Sequence, residues 1–293
     1  MIHQLNIHGK DKVQVSIERL QTFEPPEGYF LAFSGGKDSV VIKALADMAG
    51  VKYDAHYMHT SVEPPEVIRF TREHHPDVEI DFPRDKDGNR ITMWNLIPKK
   101  SYPPTRVVRY CCAALKEQQG IGRMTVTGVR WAESSNRRRN QGEVTIMSPK
   151  KRTREELVDS GNFTQTPRGG VVLNNDNEES RKMVEQCYRL SKTVINPIID
   201  WTNEDVWEFI REYDLSYCKL YDEGRTRLGC IGCPMAGAES MLKQFEQYPK
   251  FRKMYVRAFD KMLLEGAARG INYKQWKSGE DVFDWWVNGG HNK

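Results

Sequence analysis

The sequence predicts an α/β fold: a parallel sheet with helices on both faces, followed by a helical C-terminal region. Two observations carry this. Short apolar runs alternate with helix-like segments along the first eighty residues, and strands that alternate with helices are joined by crossovers that leave neighbouring strands parallel. In addition, "YFLAF" at residues 29–33 leads through Gly35-Gly36 straight into an apolar helical pattern, the strand–turn–helix order typical of phosphate cradles.

In chain order, "DKVQVSIERLQTF" has apolar residues at helical spacing and stops before Pro25-Pro26, so it reads as a helix. "YFLAF" is the first strand, and "DSVVIKALADMAG" is a helix closed by Gly50, the preferred stop residue. "KYDAHYMHT" is a strand, "PPEVIRFTREHH" a helix opened by proline, and "VEIDFPRD" a third strand. "RMTVTGVRWAES" reads as a strand that ends in a glycine and an arginine. "EVTIMSP" and "GGVVLNN" read as the arms of a hairpin around the basic segment 150–170. "NDNEESRKMVEQCYRL" is helical with an Asn or Asp cap, "VINPIIDW" is a strand, and "TNEDVWEFIREYDL" is a helix with a variant capping box, Thr202 and Asp205. Residues 237–270 and "SGEDVFDWWVNGG" supply the closing helices. The expected organisation is a helical lead-in (1–24), a nucleotide-binding domain (25–235) and a helical extension (236–293).

The 293 residues, 39% hydrophobic and 29% charged, suit one large α/β domain with an appendage or two small domains. Apolar stretches shorter than ten residues exclude a transmembrane helix, and so a membrane partner is not expected. Met1–Asn6 lacks the pattern of a signal peptide, so the expected location is cytoplasmic. In a reducing compartment the six cysteines read as core residues, metal ligands or nucleophiles rather than a disulfide framework. The net charge of +4 is unevenly spread. Residues 130–154 hold eight basic side chains against Glu133 and Glu143, and residues 99–116 hold five and no acid. Both segments favour a polyanion, whether nucleotide or nucleic acid, over a neutral ligand, and both also fit a solvated basic surface.

The loop Ser34-Gly35-Gly36-Lys37-Asp38-Ser39 is not a Walker A loop. That pattern needs a glycine where Leu31 stands and Ser or Thr where Asp38 stands. Its chemistry still suits phosphate: the glycines let backbone amides approach an oxyanion, the helix N-terminus adds partial positive charge, Ser34 and Ser39 offer hydroxyls, and Lys37 offers a point charge. Arg130, at a strand end two residues after Gly128, presents a guanidinium fork matched to phosphate oxygens. Thr60, Ser61 and Glu63 follow the second strand, at the carboxyl edge where α/β sheets bind ligands.

SGGKDS resembles the PP-loop of the adenine-nucleotide α-hydrolase group, a Rossmann-like fold. "TGVRWAESSNRR" (127–138), "NPIIDWTNEDVWEFI" (196–210), "YCKLYDEG" and "GCIGC" resemble, in that order, the blocks of the phosphoadenosine phosphosulfate (PAPS) reductase family. The resemblance implies adenine-nucleotide binding by Ser34, Gly35, Gly36, Lys37, Asp38, Ser39, Gly128 and Arg130; the place of Thr60 at the carboxyl edge of the sheet puts it, too, near the nucleotide. It implies ATP with Mg²⁺, with Asp38 a candidate ligand of the ion, and catalysis by Lys37 and Arg130 at the α-phosphate. Trp201, Trp207 and Phe209 are expected in the core, because their spacing fits a buried helix face.

Cys111-Cys112 and Cys230-Ile231-Gly232-Cys233 form the second constellation. A lone C-x-x-C suits zinc, redox chemistry or neither, and adjacent cysteines are unusual in structural zinc sites. Within the family, this combination resembles the ligand set of a [4Fe–4S] cluster; zinc and unligated thiols remain alternatives. Cys187 and Cys218 read as small buried residues. The family's reductases carry a nucleophilic cysteine near the C-terminus, whereas no cysteine follows Cys233 here. The resemblance therefore shifts towards iron–sulfur ATP pyrophosphatases of DNA phosphorothioation systems and tRNA thiolases, with DNA or tRNA as acceptor and a cysteine desulfurase or other sulfur donor as partner. Sulfonucleotide reduction through a non-standard or partner thiol, and a non-catalytic nucleotide-sensing or nucleic-acid-binding module, use the same residues. His56 and His59 are not expected to pair on a metal, and His74-His75 is expected to be a solvent-facing helix end.

Overall fold

The computed structural model describes residues 1–6 and 8–292. The chain runs α1 (Lys12–Thr22), β1 (Tyr29–Ala32), α2 (Lys37–Ala49), β2 (Tyr53–Met58), α3 (Pro65–His74), β3 (Glu79–Asp81), α4 (Met93–Lys100), α5 (Tyr110–Leu115), β4 (Thr125–Val126), α6 (Ser135–Asn140), β5 (Val144–Met147), α7 (Lys151–Asp159), β6 (Phe163–Gln165), β7 (Val171–Leu173), α8 (Glu178–Tyr188), β8 (Lys192–Ile195), α9 (Asn203–Glu212), α10 (Ala238–Gln247), α11 (Pro249–Ala268) and α12 (Gly279–Val287). No helix among the described residues is long and apolar enough to cross a membrane.

Local chemistry accounts for many of the boundaries. Asp11 caps α1 and Thr202 caps α9, each in a reciprocal box with the residue three positions on, Gln14 and Asp205. Gly50 ends α2 in the left-handed conformation, φ +66°. Pro249 divides the C-terminal helical region into α10 and α11, since proline is welcome in a first turn and not inside a helix.

One eight-stranded sheet has the order β3-β2-β1-β4-β8-β5-β7-β6. The pairs β1–β2, β1–β4 and β4–β8 are parallel, with Leu31 opposite both Ala55 and Val126. The other edge is antiparallel: β5 pairs with β8 and β7, and β6 with β7. The two expected hairpin arms do pair, but α7 and β6 intervene, and a tight turn at Thr166–Gly170 folds β6 back onto β7. A turn this short permits only antiparallel pairing.

The chain divides into two compact units that interleave in sequence. The first comprises residues 1–57, 69–79 and 120–226; the second comprises 58–68, 80–119 and 227–293. In the first, Trp201 and Phe209 are fully buried as expected, whereas Trp207 is only half-buried, against Tyr217 and Tyr221; the Trp201 indole donates to Ser16 Oγ at 3.1 Å. In the second, α4, α11 and α12 bury Leu96, Ile97, Phe259, Phe283 and Trp286 around Ile231. Amphipathic C-terminal helices need an apolar partner, and here the segments at 58–68 and 80–119 share a core with them.

His74 is exposed, but His75 departs from the expected solvent-facing end. Its ring packs against Phe33 and Phe70, at 4.7 and 5.3 Å between centroids. Burial, followed by the nearby Lys43 charge, pushes His75 down to about 4. The unfolded chain therefore takes up a proton near pH 6.5 that the folded protein refuses, and stability should fall between about pH 6.5 and 4, by roughly 1–2 kcal/mol. Urea unfolding of the wild type and His75→Leu at pH 7.5 and 4.5 should show this loss in the wild type and a smaller one in the variant.

Candidate nucleotide and thiol sites

The first unit builds the loop that follows β1. Gly35 adopts φ +70°, which a side chain would resist. Gly36 caps α2 with no side-chain hydrogen bond, so the amides of the first turn depend on other partners. One is supplied from outside the loop: the Lys37 N–H donates to Tyr221 Oη at 3.0 Å. Tyr221 is held edge-on by Trp207, 5.2 Å away, and burial raises its hydroxyl pKa, keeping it a neutral phenol. Within the loop, the Ser39 hydroxyl donates to the Gly36 carbonyl at 2.7 Å, and Ser34 and Ser39 lie 3.3 Å apart.

Lys37 and Arg130 are almost completely buried and meet on one carboxylate. Lys37 Nζ lies 3.0 Å from Asp38 Oδ2, and Arg130 Nε lies 2.7 Å from Oδ1. Arg130 is steadied further by the Trp201 carbonyl at 3.3 Å and by its own N–H on Glu133 at 3.1 Å. Gly128 permits this approach, because a Cβ there would sit 2.9 Å from Asp38 Cβ. Every loop residue predicted from sequence, together with Gly128 and Arg130, belongs to this assembly. Tyr221 was not singled out: nothing local distinguishes it within "YCKLYDEG". Both Asp38 oxygens are engaged by cations.

Thr60 belongs to the second unit, as do the thiols. It is buried, its N–H donates to Glu63 Oε1 at 2.6 Å and its hydroxyl bonds the same oxygen. Its Oγ1 is 3.7 Å from Cys230 Sγ. Glu63 Oε2 is buried with no hydrogen-bond partner among the described residues.

Cys111 and Cys112 lie in α5, and Cys230 and Cys233 flank a buried loop; all four are free and half-buried. The loop is pinned on both sides of Ile231, whose N–H donates to the Val62 carbonyl at 2.7 Å and whose carbonyl accepts from Tyr255 Oη at 3.0 Å. Gly232 has φ +70°, and a Cβ there would lie 2.6 Å from Phe245 and 3.0 Å from Trp286. Gly232→Ala should therefore destabilise this unit by about 2–4 kcal/mol, read as a lower denaturant midpoint.

The thiols feel one another and two cations. The Cys111 thiol and the Arg109 guanidinium, 3.3 Å from the Cys112 sulfur, favour the Cys112 thiolate, while Cys111 is raised as its hydrogen-bond partner. Attraction to Cys230 raises Lys116, and burial raises Cys233. Among the described residues no three cysteine sulfurs lie within 4.8 Å of one another. The donor set, four thiols with cations nearby, has the chemistry of a thiolate-ligated metal or cluster.

Residues 28–236 match the phosphoadenosine phosphosulfate reductase domain. The chain belongs to this family. Among relatives, an uncharacterized protein of Methanocaldococcus jannaschii is 27% identical over 239 residues, covering 77% of this chain and 46% of that protein. The adenosine 5'-phosphosulfate reductase of Oceanobacillus iheyensis is 38% identical over 52 residues, 18% of this chain and 22% of that enzyme. The chain thus spans about half or less of the length of these relatives. Among solved structures, the PAPS reductase of Candida auris in a phosphate complex has a TM-score of 0.45 at 14% identity, covering 74% of this chain and 88% of that one. The FMN adenylyltransferase of Candida glabrata has a TM-score of 0.41 at 13% identity, covering 75% and 61%.

Proposed function

We propose that the protein is an ATP pyrophosphatase of the PAPS reductase family, which activates an acceptor by adenylation in a sulfur-transfer pathway of the DNA phosphorothioation or tRNA thiolation type. The observation that carries this is the buried Lys37–Asp38–Arg130 arrangement at the mouth of α2. Two cations are held in place before any substrate arrives, so little reorganisation is needed to stabilise charge on a phosphate. Lys37, Ser34 and Ser39 would take the β- and γ-phosphates, and Arg130 the α-phosphate. An acceptor oxygen attacks the α-phosphorus; the new O–P bond forms as the bond to the bridging oxygen breaks, and pyrophosphate leaves with that electron pair. Asp38 keeps Lys37 and Arg130 apart and aimed. Mg²⁺ would arrive with the nucleotide, whose phosphates supply its oxygen ligands.

Cys111, Cys112, Cys230 and Cys233 would hold a [4Fe–4S] cluster, which when bound supplies one-electron chemistry or a site for sulfur. Arg109 and Lys116 would offset the charge of the four thiolates. A cysteine desulfurase, or another sulfur-donor protein, would deliver the sulfur that displaces AMP. Sulfonucleotide reduction would need a thiol outside the cluster set. Cys187 and Cys218 are only 5% and 1% exposed, and burial raises the Cys187 thiol, the opposite of an activated nucleophile. Anaerobic purification with iron and sulfide quantified, followed by assay of AMP and pyrophosphate from ATP, tests the proposal. A colourless zinc protein overturns the cluster, and ATP left intact in the presence of acceptor and sulfur donor overturns the adenylation.

A further inference from the structure

Three elements of the first unit that are separate in sequence form one cationic face. Asn140, at the end of α6, is buried and accepts the N–H of Arg168 at 3.1 Å, which draws the β6–β7 turn to the helix carrying Arg137, Arg138 and Arg139. Arg154 of α7 donates to the Gly169 carbonyl at 3.4 Å, which brings α7 to the same turn. Gly169 adopts φ +81° there, and the turn is tightened by the bond from Gly169 N–H to the Thr166 carbonyl at 2.9 Å.

The charges on this face are not balanced internally. Lys151 and Arg152 face Glu155 and Glu156 at 3.8 and 2.8 Å, and Arg137 bonds Glu133. Arg138, Arg139, Lys150 and Arg168 are exposed, and among the described residues no carboxylate pairs with them. Moreover, α7 opens at Lys150 with no side-chain cap and no acid in its first turn. Unpaired cations gathered on one face cost self-repulsion, so they suit a surface that meets dense negative charge.

We infer that this face binds the phosphodiester backbone of a nucleic acid. Duplex nucleic acid presents one charge per about 1.7 Å of axis, a density suited to several cations spread over three elements. Guanidinium forks match the phosphate oxygens, and contacts of this kind position a strand without reading its bases. The face also leads towards the nucleotide loop, because Arg130 and α6 are separated only by the turn Trp131–Glu133 and the cap Ser134. The inference extends the proposed adenylation by giving its nucleic-acid acceptor a docking face, and rests on that reading for its purpose though not for the binding itself.

Fluorescence anisotropy with a labelled 20-base-pair DNA duplex and with a labelled RNA hairpin, between 50 and 300 mM KCl, tests it. The triple variant R138E/R139E/R168E should weaken binding at 100 mM KCl by at least about tenfold and lower the log–log salt slope by about 2–3. The double variant E155Q/E156Q, which frees Lys151 and Arg152, should tighten binding about 2–5-fold, a gain that misfolding cannot mimic. Preference for one probe names the acceptor as DNA or RNA, and either supports the inference. Unchanged affinity and slope in a triple variant with wild-type circular dichroism overturns it, as does equal affinity for polyglutamate. Pyrophosphate release by the wild-type protein is scored separately, so adenylation can fail while nucleic-acid binding on this face holds.

Discussion

Lys37→Ala is expected to lower pyrophosphate release from ATP by about 10²–10³-fold, the usual cost of removing one preorganised charge from a phosphoryl site. The side chain is 5% exposed and fixed on Asp38, so its loss leaves the Asp38 carboxylate facing the nucleotide with one counter-charge fewer. Arg130→Ala should have an effect of the same order. Arg130→Lys should recover little, because an ammonium cannot meet Asp38 and the Trp201 carbonyl simultaneously as the guanidinium does. Steady-state assay with nucleotide-binding measurements separates two outcomes: a fall in kcat with binding retained identifies transition-state stabilisation, and a loss of binding identifies the cradle. Full activity in Lys37→Ala would remove the proposed chemistry.

The second large effect concerns iron. Cys230→Ser and Cys112→Ser should each reduce bound iron from about four per chain to less than one after anaerobic purification, with loss of the visible absorption of the cluster. Serine preserves volume, so the buried loop around Ile231 should persist. Circular dichroism close to wild type alongside lost iron would assign the effect to ligation. Cys187→Ser is the control, since Cys187 is a buried residue of the first unit; it should retain its iron. Iron unchanged in both ligand variants would refute the cluster.

Much of this was legible along the chain. The alternation of apolar strands and helices, the capping boxes at Asp11 and Thr202, and the glycines of SGGKDS are local signals, and local signals survive in one dimension. The basic segment 130–154 was legible as charge, but Arg168 and its turn join it only through tertiary contacts, at Asn140 and Arg154. The helices α4 to α7 were harder to see: α5 and α6 have six residues each, too few for a clear period. His75 misled because its position at a helix end suggested solvent, whereas its neighbours in space are Phe33 and Phe70.

Sequence alone determined the α/β class, the phosphate loop, the family blocks and the four candidate thiol ligands, because each is written in residue types at short fixed spacing. Tertiary structure alone decided that Asp38 bridges Lys37 and Arg130, that Tyr221 completes the loop, and that Thr60 sits beside Cys230. It also decided that the two compact units interleave. These are contacts between residues tens to nearly two hundred positions apart, and they are chosen by which apolar faces can be buried together, a choice that no local pattern records.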